Sequence, residues 1–255
     1  MPQTLPLQGL SVLVTRPEKQ ADALIEQLQN KGATVLHQPA ISIVADNNAS
    51  QQALVEQINS YDWLVFISKN AVQYGLDLIE SRQPLNADLK IAAIGKATSK
   101  ALNQRGYNNV YCPAEGYDSE ALLQSEVFSA AQIRHNKILI IRGGQGREHL
   151  KQTLEQRCSS VSYLDAYKRE PGKLRFKLAD LLAIDIITIS SQQGLDYLLA
   201  MLDAMTVKSL LDKLLIVPSD RCHKRAAELG FKRIETAANA TDNAMLNCIT
   251  NKIKA

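Results

Sequence analysis

The sequence has few of the features that mark secreted, membrane or zinc-binding proteins. Its 4 cysteines are far apart and form no CxxC pair, which disfavours a disulfide framework and suits a reducing cytoplasm. No apolar run reaches the roughly 18 residues needed to span a bilayer. The N-terminus also lacks the basic start and long apolar core of a signal peptide. We therefore expect a cytoplasmic protein with no membrane partner.

The sequence also lacks a strong charge of one sign and any cluster of metal ligands. The net charge is only +3 and the basic residues form no long run, so nucleic-acid binding is not predicted. A mildly basic surface still suits a polyanionic small molecule. Cys222 and His223 are adjacent but have no companion pair, and a metal site needs clustered ligands. We expect no nucleic-acid partner and no metal.

The most informative stretch is Lys137–Leu154, which reads KILIIRGGQGREHLKQTL. Four apolar residues, Arg142, a turn containing Gly143, Gly144 and Gly146, and leucines at helical spacing predict a buried strand, a tight turn and a helix. Such a turn brings free helix N–H groups to the strand's carboxyl end, which suits an anion. The structural alternative, which the sequence favours over phosphate binding, is that the glycines only permit the tight turn. The run is neither GxGxxG nor a Walker loop.

The same strand–turn–helix unit returns at Ser11–Leu28, and further matches extend the repeat along the chain. The N-terminal match has an offset of 126 positions and most later matches have an offset of 123. The matched pairs are Arg16–Arg142, Leu24–Leu150 and Ala40–Ala166 at 126, and Asp62–Asp185, Ser68–Ser191, Lys90–Lys213 and Leu123–Leu246 at 123.

The order of the repeated units differs between the two copies. We call the strand–turn–helix unit that contains Arg16 or Arg142 the arginine unit. The C-terminal copy of the repeat ends without one, and the missing unit is found at the N-terminus. The N-terminal segment should therefore complete the C-terminal sheet. Strands that alternate with helices predict parallel sheets covered on both faces. The predicted fold is α/β: two doubly wound, flavodoxin-like domains with a permuted internal repeat. They comprise residues 1–38 plus 171–255, and residues 44–162. Linker strands 39–43 and 163–170 would form a two-stranded hinge at the base of a ligand cleft.

The expected elements follow the apolar periodicity. The predicted strands are Leu10–Thr15, Thr34–His37, Pro39–Val44, Trp63–Ile67, Ile91–Ile94, Asn109–Cys112, Ile138–Ile141, Ser160–Leu164, Ile186–Ile189, Leu214–Val217 and Arg233–Thr236. The predicted helices include Glu18–Lys31, Gln52–Ser60, Asn70–Glu80, Ala97–Arg105, Ser119–Phe128, Leu174–Leu182, Gln193–Leu202, Arg221–Leu229 and Asp242–Ile253.

Six motifs, in order, resemble those of the uroporphyrinogen-III synthase family: LVTRP, FISKNAV, AAIGKATSKAL, PAEGYDSEALL, IIRGGQGREHL and DAYKREPG. The resemblance extends from Val12 to about Leu246. It implies a lyase (EC 4.2.1.75) that closes hydroxymethylbilane, a linear tetrapyrrole with eight carboxylates, while inverting ring D and losing water. It implies two α/β domains on a two-stranded linker, and neither a metal nor an organic cofactor. The turn VPSDR departs from the Gly and Thr that are common in the family.

This chemistry needs donors for carboxylates and an acid that assists departure of the substrate hydroxyl. Tyr167 matches the family's linker tyrosine, and a phenol is a proton donor at neutral pH. The expected substrate-binding residues all lie where a predicted strand ends or the next helix begins. They are Thr15, Arg16, Ser68, Asn70, Thr98, Arg142, Gly143, Ser190, Ser191 and Ser219.

Each of these residues also has a structural explanation. Ser68, Ser191 and Thr98 could be only helix N-caps. Arg142 and Arg147 could be solvated or paired with Glu148 or Glu155, and Tyr167 could be only a packed hinge residue. A different class, the non-catalytic bilobal binding protein for sugars or small anions, fits the same domain pattern. For the enzyme we expect a monomer that makes transient contact with the preceding enzyme of its pathway.

Overall fold

The structure is a computed structural model that describes residues 5–18, 20–116, 118–144 and 148–254, without the side chains of residues 178 and 254. Its strands, in chain order, are β1 (Ser11–Val14), β2 (Thr34–His37), β3 (Ile41–Ala45), β4 (Trp63–Phe66), β5 (Lys90–Ala93), β6 (Val110–Tyr111), β7 (Lys137–Gly143), β8 (Ser160–Pro171), β9 (Ile186–Thr188), β10 (Leu214–Val217) and β11 (Arg233–Thr236).

The helices cover most of the connections between these strands. They are α1 (Asp22–Asn30), α2 (Ala49–Glu56), α3 (Lys69–Glu80), α4 (Lys96–Gln104), α5 (Ser119–Gln124), α6 (Ala130–Ile133), α7 (His149–Glu155), α8 (Leu178–Leu182), α9 (Gln192–Ala200), α10 (Ala204–Leu210), α11 (Asp220–Glu228) and α12 (Asp242–Lys254). Among the described residues, no helix is both long and apolar enough to cross a bilayer.

The strands form two sheets. Five strands of each sheet follow the same order once the repeat is taken into account, and β3 is an additional edge strand of the second sheet. One sheet has the order β11-β10-β9-β1-β2, and the other has the order β3-β8-β7-β4-β5-β6. All pairings in the first sheet are parallel, as are those from β8 to β6 in the second. Strands β1 and β2 thus occupy the places that β7 and β8 occupy in the other sheet. The predicted α/β class with a permuted repeat is confirmed.

Strand registers fix the offsets of the repeat. Val12 lies opposite Ile186 in one sheet and Ile138 lies opposite Trp63 in the other, which confirms the offset of 126 for the arginine unit. Lys90, however, lies opposite Trp63, whereas the residue opposite Ile186 is Leu214. The predicted match of Lys90 with Lys213 was therefore wrong by one residue, because the extra residue of the second copy lies before β10.

Each residue of a strand contributes to only one of the two faces of its sheet, and helices cover both faces. Val12 and Val14 pack in a buried cluster with residues of α1 and α12, whereas Leu13 packs in a second cluster with residues of α9, α10 and α11. Contacts divide the described chain into two compact units. Unit 1 comprises the residues up to Ile43 and from Glu170 onward, and unit 2 comprises Val44–Arg169.

Several predicted element boundaries were wrong. Strand β8 continues to Pro171 instead of ending at Leu164, and helix α8 begins only at Leu178. The helix predicted to reach Phe128 ends at Gln124 and is followed by a 3₁₀ turn. Helices α6 and α10 were not predicted at all. The side chain of Asp203 accepts hydrogen bonds from the N–H groups of Met205 and Thr206, so α10 carries an N-cap that the sequence displays.

Candidate functional site

Four helices begin directly after a parallel strand with nearly the same backbone conformation. Their N-cap residues are Ser68, Gly95, Ser191 and Ser219, all in the extended region with φ between −168° and −164°. The three serine hydroxyls accept hydrogen bonds from N–H groups three residues on, at 3.0, 3.1 and 3.4 Å. Each hydroxyl oxygen then still has its own proton to donate. Helix α4 has no side-chain cap, because Gly95 offers none.

Tyr167 lies on β8 just after an irregularity in the pairing with β7. Arg142 is opposite Asp165, but Gly143 is opposite Tyr167, so Ala166 is the extra residue of a bulge. The Tyr167 residue is only 2% exposed. Its ring lies against Gly143, where a Cβ atom would come within 2.4 Å of the ring. The ring of Tyr74 lies on it with centroids 5.7 Å apart.

The Tyr167 hydroxyl lies 3.2 Å from Ser68 Oγ, and either oxygen can be the donor. Two sequence-predicted residues, one on β8 and one at the start of α3, are therefore hydrogen-bonded within unit 2. Gly143 belongs to the same group through its contact with the ring. The backbone N–H of Gly144 donates to the Tyr167 carbonyl oxygen at 2.9 Å. Tyr167 is thus held in place by contacts of its ring, its hydroxyl and its backbone carbonyl.

The Arg142 guanidinium is already paired within unit 2. Its Nε donates to Asp165 at 2.8 Å and its Nη1 donates to Glu148 at 3.1 Å. The ring of Tyr163 covers one face, with the guanidinium carbon 3.3 Å from the ring centroid. The pairing with Glu148 is one of the structural alternatives that the sequence left open. Arg147, Gln145 and Gly146 lie outside the described residues.

This pairing has electrostatic consequences for all three groups. Burial lowers the pKa of Arg142, but its hydrogen bonds to Asp165 and Glu148 outweigh burial and raise it. The hydrogen bond from Arg142 lowers the pKa of the exposed Glu148 carboxyl. Burial raises the pKa of Tyr163 to about 12, with Arg142 opposing the shift and Glu148 adding to it. Arg142 therefore stays charged, and Tyr163 neutral, at physiological pH.

In unit 1 the predicted residues follow β1, β9 and β10 at the carboxyl edge of the sheet. Arg16, which the repeat pairs with Arg142, forms an ion pair with Asp242 at 2.7 Å and donates to the carbonyl of Ala240. Thr15 is buried, and its hydroxyl donates to the carbonyl of Thr188 at 2.7 Å. Thr15 therefore has no hydroxyl proton left for a ligand.

The remaining predicted residues lie at the starts of helices. Asn70, in the first turn of α3, is half-buried, as is Ser190 just before the cap of α9. Thr98 is buried in the first turn of α4 and lines a cavity of about 340 Å³ together with Gly95 and Lys96. Two larger cavities of unit 1 contain none of the predicted site residues.

Sequence reasoning missed the partners of the predicted residues. Asp165, Asp242, Tyr163 and Tyr74 were not assigned a role, yet they contact Arg142, Arg16 and Tyr167. Asp165 carried a signal, since an acidic residue lies two positions before Tyr167 in the same motif. The bulge that decides which residue faces Gly143 has no signal in the sequence.

The described residues offer little to a metal ion. Within the described ranges, no three His, Cys, Asp or Glu side chains lie close enough together to hold one. The imidazole of His223, next to Cys222, has its Nδ1 3.0 Å from the hydroxyl of Thr236.

Comparison with known proteins identifies the family. The sequence model of the family described as "Uroporphyrinogen-III synthase HemD" matches residues 22–247. The chain belongs to the uroporphyrinogen-III synthase family. The uroporphyrinogen-III synthase of Escherichia coli K12 is 27% identical over 252 residues, covering 94% of this chain and 100% of the relative. That of Proteus mirabilis is 32% identical over 162 residues, covering 63% of this chain and 80% of the relative.

Solved structures of the uroporphyrinogen-III synthase family share the fold. A crystal structure of uroporphyrinogen-III synthetase from Helicobacter pylori aligns with a TM-score of 0.59 at 13% identity, covering 95% of this chain and 99% of that one. A mutant uroporphyrinogen III synthase from Thermus thermophilus aligns with a TM-score of 0.58, also at 13% identity, and covers 96% of this chain and 99% of that one. At such low identity these likenesses establish the fold alone.

Proposed function

We propose that this chain closes hydroxymethylbilane to uroporphyrinogen III with inversion of ring D and loss of water. The observation that carries the proposal is the family match over residues 22–247. The match does not favour the alternative of a non-catalytic binding protein. The monomeric state and the transient contact with the preceding enzyme stay predictions.

In this proposal Tyr167 assists the first step. The terminal C–O bond of the substrate breaks, and the hydroxyl takes a proton from the phenol and leaves as water. The substituted carbon of ring D then attacks the resulting carbocation to give a spiro intermediate. The bond between that carbon and its original methylene bridge then breaks, and the methylene bonds to the unsubstituted carbon of ring D. The proton that this second carbon loses can return to the phenolate, so the net change is the loss of one water. Support for this role comes from the fixed position of the Tyr167 hydroxyl, held through Ser68, Gly143 and Tyr74.

The capped serines are the best candidates to bind the substrate's carboxylates. Ser191 and Ser219 each accept from their own helix and retain a proton to donate. Helix N-termini also favour negative charge, through free N–H groups and the helix dipole. We place Asn70, Thr98 and Ser190 in the same group, because they lie beside such helix starts.

Three predicted ligands are weaker candidates on their contacts. Arg142 would have to release Asp165 or Glu148 to bind a carboxylate with Nε or Nη1. Arg16 is engaged by Asp242, and Thr15 donates within the sheet. We propose that these residues chiefly hold the strand ends in place and that hydroxyl and backbone donors bind the substrate.

Product analysis after incubation with hydroxymethylbilane tests the function. Unaided closure joins the unsubstituted carbon and gives the type I isomer, so the type III isomer can arise only if the protein folds the substrate productively. We expect mostly type III with the protein, and type I in a parallel incubation with heat-denatured protein. A product that is type I in both incubations would contradict the proposal and support a non-catalytic binder.

A further inference from the structure

We propose that Ser68 is a positioning residue for Tyr167: it orients the phenol's proton towards the substrate and donates to the phenolate oxygen formed when that proton leaves. The inference rests on the proposed function, because it assigns a partner to the acid of that reaction. It changes the role expected for Ser68 from binding a substrate carboxylate to acting through Tyr167.

The direction of the hydrogen bonds follows from what each oxygen already accepts. Ser68 Oγ accepts the N–H of Ala71 at 3.0 Å, as the N-cap of α3. Its own proton can then be donated to Tyr167 Oη, 3.2 Å away. In that arrangement the phenol's proton is not donated to any of the described residues and is available to the departing hydroxyl of the substrate.

The position of Ser68 on α3 adds an electrostatic reason. This helix has 12 residues, and the N-terminus of a helix carries a partial positive charge that stabilises a nearby anion. A phenolate at Tyr167 would lie one hydrogen bond from that N-terminus. Hydrogen bonds that strengthen as charge develops stabilise the transition state more than the ground state. Ser68 would therefore affect the turnover number more than substrate binding.

The packing of the ring supports the same assignment. Gly143 and Tyr74 hold the Tyr167 ring, so the hydroxyl is directed at one point near the start of α3. Gly75 brings α3 close to its sheet, since a Cβ atom there would lie 2.5 Å from the Cγ2 atom of Ile141. The distance between the two hydroxyls is thus set by both the strand and the helix.

The repeat provides a matched control within the same chain. Ser191 is the counterpart of Ser68 and caps α9 through Gly194 N–H at 3.1 Å. The counterpart of Tyr167, at the offset of 126, is Ile41, and a Cβ atom on Gly194 would lie 3.8 Å from its Cδ1 atom. One capped serine thus has a phenol as partner, whereas the position that corresponds to the phenol in the other unit is an isoleucine, which has no hydroxyl to offer Ser191.

A double-mutant cycle tests the proposal, with single-turnover rates and the isomer ratio as readouts. Tyr167→Phe should lower the rate about 10²- to 10⁴-fold, and Ser68→Ala about 10-fold or more with little change in KM. The double variant should be no slower than Tyr167→Phe alone, because Ser68 acts only through the hydroxyl that is already missing. Ser68→Thr, which keeps the hydroxyl, should restore most of the rate lost in Ser68→Ala.

The matched cycle pairs Ser191→Ala with Tyr167→Phe, and here the two factors should multiply. Thermal unfolding of both serine variants measures the loss of an N-cap separately from the rate. Multiplying factors for Ser68→Ala and Tyr167→Phe, or a higher KM at unchanged turnover in Ser68→Ala, would overturn the inference while the proposed function stands. If Tyr167→Phe itself has the wild-type rate, the acid assignment fails first, and this inference fails with it.

Discussion

Gly143 lies directly opposite Tyr167 in the pairing of β7 with β8, and a Cβ atom at position 143 would come within 2.4 Å of the tyrosine ring. The φ angle of Gly143 is not positive, so the backbone conformation alone does not require glycine. Glycine is required because the tyrosine ring leaves no room for a Cβ atom. Gly143, the first glycine of a turn whose sequence suggested anion binding or only a tight bend, makes room for the candidate acid.

Gly143→Ala should displace the Tyr167 ring. We expect the free energy of unfolding to fall by about 1–3 kcal/mol from overpacking, and the single-turnover rate to fall towards that of Tyr167→Phe. Urea unfolding and rate measurements on the same samples test both effects. Gly144→Ala is the control, since no atom of the described residues lies within 4 Å of a Cβ atom there, and its stability should change by less than about 0.5 kcal/mol. Wild-type stability and rate in Gly143→Ala would show that the ring is not held in this way.

Arg142→Met should destabilise unit 2 more than it weakens substrate binding. The change removes the hydrogen bond to the half-buried Asp165 and the stacking on Tyr163, and we expect a loss of about 1–3 kcal/mol in the free energy of unfolding. Arg105→Met is a control, because Arg105 also bridges two carboxylates, Asp77 and Glu80, but on a more exposed surface. It should cost less than about 1 kcal/mol. A raised KM with unchanged stability in Arg142→Met would instead assign Arg142 to the substrate.

The same variant should alter how stability depends on pH. Arg142 lowers the pKa of Glu148 in the folded state, so this interaction contributes at neutral pH and is lost as the pH falls through the lowered pKa. Part of the stability difference between the wild type and Arg142→Met should therefore disappear below about pH 4. Urea unfolding between neutral pH and about pH 3 provides the measurement.

Unit 2 should fold alone, whereas the C-terminal segment of unit 1 should not fold without the N-terminal segment. A fragment of residues 44–169 contains β4 to β8 and should unfold cooperatively. A fragment of residues 171–255 lacks β1 and β2, and β1 is the parallel neighbour of β9, so it should not fold cooperatively. The control joins residue 255 through a flexible linker to residues 5–43, which restores the strand order of the other sheet. Cooperative unfolding of 171–255 alone would contradict the importance of the permuted strands.

The repeat and the parallel sheets could be predicted from the sequence because they depend on apolar strands and matched turns. The stretch between β4 and β5 shows where this reasoning ends. It contains one long helix, α3, and then Pro84, whereas the corresponding stretch of unit 1 divides into α9 and α10. The cap at Asp203 is present in the sequence, but only one helix, Gln193–Leu202, was predicted in this stretch.

The site was only partly predictable for a related reason. Residues at strand ends and helix starts could be listed, since their position follows from the pattern of elements. Which of them meet depends on the bulge at Ala166, which places Tyr167 rather than Ala166 opposite Gly143. Periodicity also cannot tell a free arginine from one that is paired, and both Arg16 and Arg142 have acidic partners far away in sequence.

Activity should survive chelators. The proposed steps need a proton donor and hydrogen-bond donors for the substrate's carboxylates. Side chains and the backbone can supply both. Extended dialysis against EDTA should leave the rate of type III formation unchanged. The control is a second aliquot dialysed without EDTA. Loss of activity that a divalent cation restores would show that a metal takes part.

The Tyr167 hydroxyl should affect the rate and not the isomer. Tyr167→Phe keeps the ring that packs on Gly143 and Tyr74, so stability should change by less than about 1 kcal/mol, the worth of one hydrogen bond. The single-turnover rate should fall about 10²- to 10⁴-fold if the phenol acts as the acid.

The product of Tyr167→Phe should remain mostly type III, because substrate folding, not proton transfer, selects the carbon of ring D. Tyr167→Ala serves as the contrast: it removes the ring as well and should lower both rate and stability, by about 3–5 kcal/mol for a large buried aromatic side chain. If the phenylalanine variant turned over at the wild-type rate while chemistry limits turnover, the acid role would be excluded. Catalysis would then depend on folding of the substrate by backbone and serine donors alone.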